Sequence, residues 1–465
     1  MNPEHNDLWF LPLGGCGEIG MNMNLYGHAG RWLMVDCGVT FSRSDETGPD
    51  VQMADPEFIE KRRDRLVGLV VTHAHQDHVG AVAHLWPRLQ CPVYCTPFTA
   101  EILGQQLRRA GLSDLVPVHV VRPGGRLELE VFNVDWLNLT HSTPESQALL
   151  IHTEAGSVFH TGDWKLDTDP VVGPAFSPSR FQKMSDLKVK AMICDSTNAT
   201  VRGRSTSEGA LYRGLLEQAQ GEEGRIIVGC FGSNIARLAT LARIAQETGR
   251  RAALLGRSLH RYHAAARAAG VWDEDLKFID PHHLGYLPPH EVMAIATGSQ
   301  GEPRSALTRL ANETHPNMLI EVGDKLLLSS RVIPGNEEAL KTLITRMRAL
   351  GVTVVQDGLG PPIHASGHPA QSELKDMYGW VKPAVAIPVH GEPRHLDANA
   401  AMAKSVGVPQ QFVGRNGDLF MLAPVRGVRR GAAPIGRLGL ENDQLIPWVP
   451  PEQGLTWGHG KTGSG

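Results

Sequence analysis

The sequence predicts an α/β protein of more than one domain. Its 465 residues are enough for two or three domains. Short apolar segments punctuated by Gly-rich turns fill residues 8–40 and return at 131–163, the texture of sheet strands. From residue 226 onward, strand-like and helix-like segments alternate, as in a parallel α/β unit.

Taken in order, LWFLPL, MNMNLYG and RWLMVDCG read as strands separated by the turns GGCGEIG and HAG. LVGLVV at 66–71 is an apolar strand that runs into THAHQDH and then into a helical VGAVAHLW. PVYCT and PFTAEILGQQLRRAG form a further strand–helix pair, and VFNVDWLNLT, QALLIHTE and GSVFHTGD read as strands. In the later unit IIVGC, RAALLG, VMAIATG and KLLLSS are strands, and NIARLATLARIAQETG and SLHRYHAAARAAG are helices. QSELKDMYGWV is a helix, AVAIPVH a strand, and a last helix begins near His395. The final stretch, with RGVRRGAAP and WVPPEQGLTWGHGKTGSG, is rich in Gly and Pro and reads as a poorly packed tail.

Composition narrows the class. With 42% hydrophobic and 20% charged residues the chain reads as an ordinary soluble protein. A formal net charge of −4 argues against non-specific, charge-driven nucleic-acid binding. It leaves a nuclease open, because bound divalent cations add local positive charge. The six cysteines form no C-x-x-C pair and no zinc-finger spacing, so buried free thiols and a cytoplasmic location are expected. No signal peptide and no membrane-length apolar run is read.

The chemistry centres on THAHQDH. It sets His73, His75, Asp77 and His78 directly after an apolar strand, which can hold the turn and aim its side chains at one place. Imidazoles with a carboxylate suit zinc or manganese, and this many ligands can serve two ions. A chance histidine-rich loop is the bland alternative, but several convergent ligands are costly to keep without a metal to pair them. His141, Asp163 and His390 each follow a strand too, so one rim of the sheets can gather all seven.

These motifs, in this order, resemble the metallo-β-lactamase superfamily. The resemblance implies an αββα sandwich in which His73, His75 and His141 hold one divalent ion. Asp77, His78 and His390 hold the other, Asp163 bridges the two, and Asp36 is a supporting carboxylate. It also implies a metal-bridging hydroxide as nucleophile and zinc as the leading metal, with manganese or magnesium as alternatives. The long segment between Asp163 and His390 looks like a β-CASP insertion. LGGCGEIGMNM, HSTPES, TGDWKLD, DSTNA, FGSNIAR, TGSQGEP, IPGNE, HASGHP and VHGEPRHL together resemble the ribonuclease J family over residues 10–400. The implied layout is 1–196 and 363–425 as the split metallo-β-lactamase domain, 197–362 as the insert and 426–465 as a tail. On this resemblance the chain is a short form without the family's usual C-terminal domain.

Carried over, Asp77, Asp195 and His368 belong to the catalytic set. His368 is the general acid for the leaving oxygen and Asp195 orients it. Ser233, Asn234, His364 and Ser366 are candidates for phosphate contact, with helix capping as an equal reading for Ser233 and Asn234. RNA is the expected partner, no membrane is expected, and a homodimer is compatible. A small-molecule metallohydrolase of lactonase or thioesterase type, a DNA-processing nuclease of the same branch and a non-catalytic RNA-binding subunit are the rival readings.

Other features receive weaker assignments. GCGEIG matches a dinucleotide fingerprint, but a strand follows where a helix is required, so a tight turn near the site is expected instead. His260 and His263 read as exposed surface, and RGVRRG as a solvated basic segment. Gln76, Glu145 and Arg331 depart from the residues usual at their places in the family.

Overall fold

A computed structural model describes residues 1–42, 48–333, 335–358 and 360–449. Two sheets of eight and seven strands face each other, and a separate five-stranded sheet is formed by residues 226–356. The strand Arg31–Val35 shows how the sandwich is built. Leu33 and Val35 point into the core between the sheets, while Trp32 and Met34 point to the outer helices. Strand Ala191–Asp195 in the facing sheet alternates the same way. Ala191 and Ile193 enter the intersheet core, and Met192 and Cys194 meet the helix Gln371–Val381 in an outer cluster. Each central strand is therefore buried on both faces, which is why these segments read as continuous apolar runs.

The strands that carry the motifs share one polarity. Arg31–Val35 runs parallel to Leu66–Val70. In the other sheet Gly156–His160, Ala191–Asp195 and Val385–Val389 are parallel neighbours. Their C-terminal ends consequently lie along one rim. The five-stranded sheet is wholly parallel, in the order Arg251–Leu255, Val292–Ala296, Ile226–Gly229, Lys325–Leu328, Thr353–Gln356. One of its faces belongs to the same hydrophobic cluster as the outer helices of the first sheet, so the two units share a core.

Several expectations need correction. Residues 427–448 are not a loose tail: Gly427–Arg429 pairs with Leu419–Ala423, and Arg437–Glu441 pairs with Val51–Ala54. The rest of the tail, from 450, lies outside the described residues. In RGVRRG the three arginines are exposed, as expected of a solvated basic segment, and Arg430 also pairs with the buried Asp418 at 2.6 Å. His263 is half-buried, edge-on to Trp272 and Phe278 at 4.5 and 5.0 Å. The single helix expected after the THAHQDH turn is two, Gln76–Val79 and Val82–Leu89. The first begins inside the motif because the His75 carbonyl accepts the His78 and Val79 amides. All six cysteines are free and buried. Among the described residues no helix is long and apolar enough to cross a membrane.

Candidate metal centre

The rim gathers seven side chains from four strand ends. His73, His75, His141 and Asp163 present ligand atoms within 4.8 Å of one another, and so do Asp77, His78, Asp163 and His390. Asp163 belongs to both groups. Its Oδ2 lies 3.8 Å from His73 Nε2, 3.7 Å from His141 Nε2, 3.2 Å from His78 Nε2 and 3.4 Å from His390 Nε2. Asp77 Oδ2 is 3.5 and 3.6 Å from the last two nitrogens.

The imidazoles are oriented as metal ligands would be. Each turns one nitrogen inward and bonds the other to the surrounding protein. His73 Nδ1 meets Thr72 Oγ1 at 3.0 Å, His75 Nε2 meets Ser233 Oγ at 3.1 Å and His141 Nδ1 meets the Gly367 carbonyl at 2.6 Å. His78 Nδ1 meets Asp36 Oδ2 at 2.7 Å, and His390 Nδ1 meets Asn22 Oδ1 at 3.1 Å. Such outward bonds fix the tautomer and leave the inner lone pair for a metal. Asp36 itself accepts from the Thr72 amide at 2.8 Å and is wholly buried, so it braces the turn from behind.

Whether cations fit is decided by the inner atoms. His75 Nδ1 lies 3.0 Å from His141 Nε2 and 3.2 Å from His73 Nε2. Three nitrogen lone pairs that close repel unless a proton or a cation sits among them. Burial, reinforced by the neighbouring imidazoles, holds His73 and His141 well below their ordinary value, and burial takes His75 to about 4. Protonation is therefore the disfavoured answer, and the donor set fits a divalent cation. Burial alone would raise Asp163, but His390 and His78 hold its carboxyl well below the usual range.

Beside the cluster, His368 Nδ1 stands 2.8 Å from Asp195 Oδ2, and its ring is stacked 5.8 Å from that of His390. Burial would lower this imidazole, yet the Asp195 carboxylate outweighs burial and lifts it to about 9. Asp195 is fixed in turn by the Thr197 amide at 2.9 Å and hydroxyl at 2.8 Å.

The phosphate candidates differ from one another. Ser233 lies against His75, as above. The Asn234 side chain accepts from the Arg237 amide at 2.9 Å and donates to Glu208 at 3.2 Å, so it caps the helix Ile235–Glu247. Ser366 Oγ accepts from Asn198 Nδ2 at 2.8 Å and the His368 amide at 3.3 Å. His364 is half-buried with Nδ1 unpartnered, and burial, then Arg237, takes it down to about 3. The GCGEIG turn lies at the site, where the Gly15 carbonyl accepts the His390 amide at 2.6 Å.

Residues outside the expected set also matter. Asn22 donates to the Asp77 carbonyl at 3.0 Å in addition to holding His390. Its signal was the polar alternation in the otherwise apolar MNMNLYG. Glu145 accepts the Phe98 amide at 2.8 Å, at the N-terminus of the helix Pro97–Arg109. Arg331 donates to Asn198 Oδ1 at 2.8 Å.

Fold and site together define a divalent-metal-binding protein of the metallo-β-lactamase superfamily with a β-CASP domain. The superfamily model matches residues 17–188, a model described as ribonuclease J, beta-CASP domain matches 223–347, and one described as Zn-dependent metallo-hydrolase RNA specificity domain matches 362–411. Ribonuclease J of Sinorhizobium meliloti is 40% identical over 439 residues, which cover 94% of this chain and 78% of the relative. Ribonuclease J of Mycobacterium tuberculosis is 38% identical over 433 residues, covering 92% and 76%. The chain belongs to the ribonuclease J family. A crystal structure of a protein of unknown function from Enterococcus faecalis V583 shares the fold, with a TM-score of 0.60 at 14% identity over 89% of this chain and 100% of that one.

Proposed function

We propose that this chain is a metal-dependent ribonuclease that hydrolyses RNA phosphodiester bonds, working 5′ to 3′ from a 5′-monophosphate end, internally, or both. The observation that carries this reading is the convergence of five imidazoles and two carboxylates directly beside the His368–Asp195 pair. We take residues 1–196 and 363–425 as the split catalytic domain and 197–362 as the insert, with RNA entering between them. Two divalent cations, zinc in the first place given the imidazole-rich donor set, would supply the nucleophile by lowering the pKa of a water held at the cluster.

His73, His75 and His141 would hold one cation, Asp77, His78 and His390 the other, and Asp163 both. His368 keeps Nδ1 on Asp195 and offers Nε2 to the substrate. Protonated there, it gives its proton to the departing 3′-oxygen as the P–O bond breaks, leaving a 3′-hydroxyl and a 5′-phosphate. Ser233, His364 and Ser366 would contact phosphate oxygens of the bound strand. Asn234 serves chiefly as a helix cap. Six unpaired buried thiols are consistent with a reducing cytoplasm.

The test is one internally labelled RNA carrying either a 5′-monophosphate or a 5′-triphosphate, with a DNA of the same sequence alongside. Mononucleotides released mainly from the monophosphate RNA establish the exonuclease. Internal fragments from both RNAs establish the endonuclease. Cleavage of DNA alone, or of neither polymer by metal-loaded protein, refutes the ribonuclease reading.

A further inference from the structure

The metal turn is held from two sides, and one of them is the inserted unit. Tyr262, on the helix Arg257–Ala268, is only 4% exposed, and its ring packs 6.3 Å from that of Phe98. Its hydroxyl donates to the carbonyl of Ala74 at 3.1 Å. Ala74 is the fully buried residue between His73 and His75. The same hydroxyl accepts from Gln76 Nε2 at 3.3 Å, and Gln76 Oε1 accepts from Gln106 Nε2 at 3.0 Å. Gln105, next along the helix Pro97–Arg109, reaches the Arg261 carbonyl at 3.4 Å and ties the same two helices together.

The direction of this relay is fixed by its chemistry. Because Gln76 Oε1 accepts a hydrogen bond from Gln106 Nε2, its nitrogen is the donor to the phenol. The phenol, already accepting there, donates its own hydrogen bond to the Ala74 carbonyl. That carbonyl fixes the peptide plane between two imidazoles whose inner nitrogens must stay 3.2 Å apart. A glutamate at 76 offers only acceptors when ionised. It would draw the phenol's proton to itself and leave the buried carbonyl without a partner, a costly arrangement.

We infer that Tyr262, acting through Gln76 and the Ala74 carbonyl, is a positioning residue for the metal turn, so that metal affinity depends on the inserted unit being docked on the sandwich. The inference rests on the metal-binding part of the reading above and not on the identity of the polymer cleaved.

Its test uses the full chain and zinc alone as the probe, with affinity measured by competition against a chromophoric chelator. Tyr262→Phe keeps the packed ring and removes only the hydroxyl. The expected result is a loss of zinc affinity of about 10–100-fold, the range found for groups that orient metal ligands. On RNA, kcat falls while KM stays within about twofold, since the hydroxyl does not face the substrate. Gln76→Glu gives a similar loss, and adding it to Tyr262→Phe costs little more, because both break one relay. Wild-type zinc affinity in both single variants overturns the inference, as does a double variant whose losses simply add. If Tyr262→Phe does not fold, Gln76→Glu decides alone. Wild-type protein that binds zinc but cleaves no RNA refutes the ribonuclease reading and leaves this comparison standing. Wild-type protein that binds no zinc refutes both.

Discussion

His368 and Asp195, 173 positions apart in the chain, meet at 2.8 Å, Nδ1 to Oδ2. The aspartate ends a central strand of the sandwich, and the histidine sits in the HASGHP turn that follows the parallel sheet. Both residues belong to the split metallo-β-lactamase domain, so the pair can form only once the chain has returned from the inserted sheet and closed that domain.

His368→Ala is expected to lower kcat by about 10²–10⁴-fold, the usual contribution of a positioned acid or base. Bound zinc should be retained, because the seven ligands are intact. Steady-state kinetics beside metal analysis of the same sample checks this. Loss of zinc in that variant would make His368 a structural or ligating residue instead.

Asp163 faces both ligand groups, whereas His141 faces one. After dialysis into metal-free buffer, His141→Ala should keep about one of the two zinc ions of the wild type, and Asp163→Ala should keep neither firmly. Equal stoichiometry in the two variants contradicts the bridging placement of Asp163.

Arg237 and Glu208 form a buried ion pair at 3.1 Å, with side chains 1% and 2% exposed. Arg237 also donates to the Ser329 and Ile363 carbonyls. Glu208→Ala strands the guanidinium in the interior and should cost about 3–5 kcal/mol of stability. Replacing both, as Glu208→Leu with Arg237→Met, should cost less than Glu208→Ala alone. Thermal or urea unfolding measures the difference.

Asp167 is buried beside Lys165 at 2.9 Å. Burial would raise its carboxyl, but Lys165 and the Ser207 and Glu208 hydrogen bonds outweigh that and hold it below the ordinary value. A depressed folded-state value means stability is fully present above the unfolded value of about 4 and is lost as pH falls through the folded one. Asp167→Asn should therefore be less stable than wild type at neutral pH and should lose less further stability upon acidification below about pH 4. Unfolding midpoints measured across that range test the sign.

Much of the centre was legible in the sequence because it is local. Four ligands fall within THAHQDH, and the others end strands that announce themselves by apolar runs. What stayed hidden depends on packing between distant segments. No spacing rule connects Tyr262 to Ala74 or Ser233 to His75, since these contacts exist only once the inserted sheet is docked. Asn22 lies inside MNMNLYG, but its role follows from facing Asp77 and His390 together. Arg437–Glu441 escaped because a Gly- and Pro-rich neighbourhood masks a strand whose partner, Val51–Ala54, is nearly four hundred residues away. His263 escaped because helical spacing does not reveal that Trp272 and Phe278 fold back over it.

The most direct measurement is RNA cleavage by wild-type protein and His75→Ala before and after metal removal. The protein is stripped with a chelator, shown to remain folded, and then resupplied with zinc or manganese. The predicted result is that stripping abolishes cleavage, metal restores it to the wild type, and His75→Ala stays inactive throughout. Cleavage that persists in stripped wild type, or equally in His75→Ala, would contradict a metal-dependent ribonuclease centred on these residues.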